Sequence, residues 1–185
     1  MKLYHATFGQ YKDSIEKNGL IPGFSPKNYE NMYSDNCLYF AFDPDAAISY
    51  AESSENPEVN TDDIIVCVVN SSDLEADKIS YDWNNSVHKE DEINSLQYSG
   101  GISPEKLDIK TEEEAIYDNS LPALDFYELK DYDADSFRIW RTLHNTYVEE
   151  SEHNEYPEGR LARDENGVAY VIPEEKGRNR DEDER

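Results

Sequence analysis

Basic residues are scarce in this chain: 17 Lys and Arg stand against 42 Asp and Glu, for a formal net charge of −25. Such a chain repels phosphate backbones, which argues against direct nucleic-acid binding. Charge of this sign suits a basic protein partner, or serves solubility alone. Cysteine is nearly absent as well, with only two residues, Cys37 and Cys67. Two thiols make neither a disulfide framework nor a zinc pattern, and the expected setting is reducing and cytoplasmic. No apolar run reaches the roughly 20 residues that span a bilayer. The N-terminus lacks a basic segment followed by an apolar one, so neither a membrane span nor a secretory leader is expected. His144 and His153 fit no standard metal pair and are expected on a solvated helix face and a loop, with no metal bound. No internal repeat is present.

What the chain does have is 37% apolar residues and 14 Tyr, enough for one core. Residues 2–5 form a short apolar strand, and Thr7 is placed to cap a helix carrying Tyr11 and Ile15 on one face. Gly19 stands where a helix ends with a left-handed residue, and Pro22-Gly23 marks a turn. Residues 37–42 are a second strand. Asp43-Pro44 starts a helix that carries Ala46, Ala47 and Tyr50. The β-branched run at 64–69 is a buried central strand. Residues 73–88 look irregular, and 94–99 form another strand, ended by Gly100-Gly101. Residues 135–148 carry Phe137, Trp140, Leu143, His144 and Tyr147 at helical spacing. Residues 159–173 read as a hairpin turning at Asp164-Glu165-Asn166-Gly167. The charged residues 174–185 are expected to be disordered. The fold class is α+β, with a small mixed sheet.

Two segments carry a specific pattern. Leu3-Tyr4-His5-Ala6-Thr7 puts a lone His at the end of an N-terminal strand. Leu38-Tyr39-Phe40-Ala41 puts a Tyr on a second strand, and Tyr50 follows on the next helix. Two aromatic rings and an imidazole can grip a flat cationic ring and its ribose. With the Gly19-Leu20-Ile21-Pro22-Gly23 turn and the buried strand that follows, residues 1–110 resemble the NAD-binding domain of the ADP-ribosyltransferase fold, in its His-Tyr-Glu branch. The resemblance implies that NAD is bound as a substrate and that ADP-ribose passes to a macromolecular acceptor, with protein as the expected acceptor. It implies that His5 bonds a ribose hydroxyl and that the backbone of Ala6 holds the carboxamide, with Thr7 beside them. Tyr39 and Tyr50 then enclose the nicotinamide ring. Stand-alone domains of this kind are often bacterial or phage toxins and effectors.

The family's catalytic Glu aligns with Ser95, ahead of Gly100, Ile102 and Pro104-Glu105. Serine brings no negative charge. Gln97, two residues on, shares its strand face, and Glu92 reaches the position through a bulge; Ser95, Gln97 and Glu92 are the catalytic candidates. Without the Glu, the competing expectation is a catalytically degenerate protein whose acidic surface binds or inhibits a basic partner. Residues 111–173 are expected as a helix and hairpin extension packed on the first 110.

Overall fold

The computed structural model describes residues 1–23, 36–82, 93–117, 126–149 and 159–173. Six strands form one sheet: β1 (Lys2–Phe8), β2 (Leu38–Ala41), β3 (Ile64–Asn70), β4 (Ile79–Tyr81), β5 (Ser95–Tyr98) and β6 (Asp108–Thr111), in the order β4-β5-β2-β1-β3-β6. Every pairing in it is antiparallel, so the fold is α+β as expected but the sheet is not mixed. A separate hairpin joins β7 (Gly159–Arg163) to β8 (Ala169–Pro173).

The burial of β3 shows how the layers are arranged. Its residues 64–69 are all buried, which a strand achieves only when both faces are covered. Ile65, Cys67 and Val69 join one apolar cluster, and Ile64, Val66 and Val68 join the other. On the second face lies α2 (Pro44–Glu52), packing Ala47, Ile48 and Ala51 against Tyr4, Phe8 and Ala41, with Ala115 of α3 (Glu112–Tyr117) beside them. The start of α2 follows its sequence: Asp43 Oδ1 accepts from Ala46 N–H at 2.9 Å, and Pro44 needs no donor there.

The first face is closed by α4 (Leu129–Tyr132) and α5 (Ala134–Glu149). Ile139, Trp140, Leu143 and Tyr147 of α5 share a cluster with Leu3, Phe40, Leu96 and Tyr98 of the sheet. The amphipathic helix read at 135–148 is thus a layer of the same core. A boundary at residue 110 falls inside β6, which pairs with β3 from Asp108 to Thr111. The hairpin turns as its sequence indicates: Asp164 Oδ1 accepts from Asn166 and Val168 N–H, and Gly167 takes a φ of 76°. Polar contacts fix it to α5. Asn145 bonds both Gly167 O and Ala169 N, and His144 Nε2 donates to Ala169 O at 2.8 Å.

Three local readings change. Thr7 caps no helix: β1 continues through Phe8, and a 3-10 turn over Gly9–Tyr11 leads into α1 (Lys12–Asn18). Residues 73–88 include β4, whose three residues are too short to show a periodicity. His144 is buried, 8% exposed, and stacks on Trp140 at 4.9 Å instead of standing on a solvated face. The tail at 174–185 and His153 lie outside the described residues. No helix among the described residues is long and apolar enough to cross a membrane.

Gly19 closes α1 with its N–H on Ile15 O, and its φ of 77° lies where side chains are strained. A Cβ there would stand 1.9 Å from Ile102 O, within the two-bond bridge between Leu20 and Ile102. Gly19→Ala should cost about 2–4 kcal/mol in chemical denaturation. A loss under about 0.5 kcal/mol, the level of an ordinary surface change, would contradict this close approach.

Candidate functional site

Among the described residues, the register of β1 with β2 is the single pair Tyr4↔Ala41. Just beyond that pair, His5 Nδ1 lies 2.9 Å from Tyr39 O. A carbonyl only accepts, so Nδ1 carries the proton and Nε2 is the acceptor of the neutral ring. The side chain of His5 thus takes a main-chain carbonyl at the seam where the strands part. Its ring leans toward Phe40, with centroids 5.8 Å apart. Ala6, partly exposed, and Thr7, 9% exposed, continue β1 along the seam.

Burial lowers the His5 pKa from its ordinary value near 6.5, and the contact with Tyr39 only partly opposes this. The native ring is therefore neutral at pH 7. An unfolded His5 takes up its proton near 6.5, whereas the native one does so only at lower pH. The native state then loses stability as pH falls below 6.5, until the native ring itself titrates, and is indifferent to this group above 6.5. The ring resonances of His5, followed by NMR, should titrate below 6.5, and His5→Gln should remove its share of the acid sensitivity. A midpoint at or above 6.5 would contradict this environment.

A second group forms on the other side of the sheet. Directly paired residues share a face, so the pairs Tyr39↔Gln97 and Ala41↔Ser95 put Tyr39, Gln97 and Ser95 together on the α2 side. His5 and Phe40 belong to the opposite face. Ser95 therefore shares a face with Tyr39 and not with His5. Tyr39 connects the groups: its carbonyl holds His5, and its side chain lies on the face of Ser95.

At the end of β4, next to Ser95 and Gln97, stands Asp82, only 7% exposed. Ser95 Oγ donates to Asp82 Oδ2 at 2.7 Å, and Gln97 Nε2 lies 3.4 Å from Oδ1. Both side chains are themselves buried, at 3% and 5% exposed. On α2, Tyr50 is 41% exposed. Burial raises its phenol pKa, the Asp82 and Asp43 charges raise it further, and a hydrogen bond with Asn94 opposes them. Tyr50 is thus a neutral hydroxyl. Glu92 lies outside the described residues.

Two groups are therefore assembled, His5 with the Tyr39 carbonyl and Asp82 with Ser95 and Gln97. Sequence reasoning overlooked Asp82 because it follows the undetected strand β4. The available signal was Ile79-Ser80-Tyr81, a short apolar–polar–apolar alternation that buries Ile79 and Tyr81. Among the described residues no group of His, Cys, Asp and Glu is arranged to hold a metal. No protein-family model, curated protein or solved structure matches this chain.

Proposed function

We propose that this protein binds NAD across the seam between β1 and β2 and transfers ADP-ribose to a macromolecular acceptor, in the manner of a cytoplasmic mono-ADP-ribosyltransferase. The observation that carries the reading is the fixed, neutral His5. Its Nδ1 is committed to Tyr39 O, so its Nε2 can accept only from a donor such as a ribose hydroxyl. Ala6 follows on the same strand with main-chain atoms suited to a carboxamide. Tyr39 and Tyr50 stand on the α2 side with aromatic faces for the nicotinamide ring. Holding substrate groups in this way is positioning plus electrostatics, the usual means of easing departure from a ribose.

Incubation of the full chain with NAD, alone and with basic acceptor proteins, tests the reading. Nicotinamide should be released, and ADP-ribose should appear on an acceptor. Absence of nicotinamide from a folded sample would overturn it. The net charge of −25 and the Ser at position 95 favour a second reading, in which a catalytically inert protein uses its acidic surface to occupy a basic partner. Capture of such a partner would then weaken steeply with salt, because exposed charges are screened beyond about 8 Å at physiological ionic strength. Salt-insensitive capture would argue against it.

A further inference from the structure

Ser95 stands where the resemblance calls for a carboxylate, yet a carboxylate is present at that place in space. It comes from the neighbouring strand. Resting on the NAD reading above, we infer that Asp82 is the catalytic carboxylate of this protein, and that Ser95 and Gln97 are positioning residues that hold it.

Three observations meet on this point. Ser95 and Gln97, the two described catalytic candidates, both turn their polar ends to Asp82, one to each carboxylate oxygen. Both lie on the sheet face that carries Tyr39. The charge of Asp82 also helps raise the pKa of Tyr50, whose side chain on α2 is partly open to solvent. A carboxylate removed from bulk water acts more strongly on a nearby developing cation than an exposed one. A hydroxyl and an amide holding it in place cost no reorganisation when the reaction begins. Asp43, the other carboxylate whose charge acts on Tyr50, is used at its helix start, accepting from Ala46 N–H.

The step is as follows. The bond between ribose C1′ and the nicotinamide nitrogen breaks, and its electron pair leaves with neutral nicotinamide. The positive charge passes to C1′ and the ring oxygen, where Asp82 stabilises it. The acceptor nucleophile, or water, forms the new bond to C1′ and gives up its proton to solvent. With water the products are ADP-ribose, nicotinamide and one proton.

Asp82→Asn keeps the shape and most of the hydrogen bonding while removing the charge. In the full chain with NAD, it should lower nicotinamide release at least 100-fold, with NAD affinity within about threefold of the parent. Ser95→Ala should lower kcat about tenfold at unchanged KM, and Ser95→Thr, which retains a hydroxyl, should restore it. Ser95→Glu should not improve release, because it would set a second carboxylate against the first. Full activity in a folded Asp82→Asn variant would overturn this assignment while leaving the NAD reading intact. Absence of turnover in the parent protein would overturn both. If Asp82→Asn does not fold, Ser95→Ala and Ser95→Thr decide: equal kcat in the two, or a change in KM alone, would overturn the assignment.

Discussion

Trp140→Ala should lower the stability of this protein by about 3–5 kcal/mol. Trp140 is 4% exposed and lies among Phe126, Phe137 and His144, stacked on the last. Those contacts belong to the cluster that includes Leu3 and Phe40 of the sheet. Domains of this size are held by about 5–15 kcal/mol in total, so one such change removes a large fraction of the whole. The loss should appear as a lower urea midpoint of a single transition that reports on helices and strands together. Leu161→Ala on the hairpin, where the side chain is 43% exposed, should change stability by less than about 0.5 kcal/mol. A separate early transition in Trp140→Ala, with the sheet unaffected, would show that α5 is an appendage and not a layer of the core.

His5→Ala should weaken NAD binding about ten- to a hundredfold, the worth of one good polar contact of roughly 1–3 kcal/mol. Tyr39→Ala should give a loss of similar size by a different route. The carbonyl that orients His5 belongs to the main chain and survives the substitution. Tyr39→Ala thus reports on the ring alone, and His5→Ala on the imidazole. Calorimetric titration of both variants, with folding checked by circular dichroism, separates the two effects. Unchanged affinity in both would remove the seam as the binding site.

The contrast between β3 and β4 shows what could be read in the sequence. Ile64–Asn70 carries six consecutive apolar residues, and only a strand covered on both faces uses such a run. The Asp43-Pro44 start of α2 and the spacing of Trp140, Leu143 and Tyr147 were equally plain, since each is a local rule fulfilled locally. β4 has three residues, and α4 has four, lengths at which hydrophobic period says nothing. Thr7 has the chemistry of a helix cap but lies within β1, where pairing with Ile65 of β3 decides its conformation. The site divides in the same way. His5, Tyr39 and Tyr50 could be singled out along the chain. The face each occupies depended on register, and Asp82 became visible only when β4 lay beside β5.

The central claim is that NAD occupies the seam between β1 and β2. An NMR titration of the full chain with NAD tests it most directly, following the ring signals of His5, Tyr39 and Tyr50 and, as a distant control, Tyr170 on the hairpin. Saturable shifts of the first three, with Tyr170 unmoved, are the predicted result. A folded protein whose His5 and Tyr39 signals stay still at millimolar NAD would contradict the account.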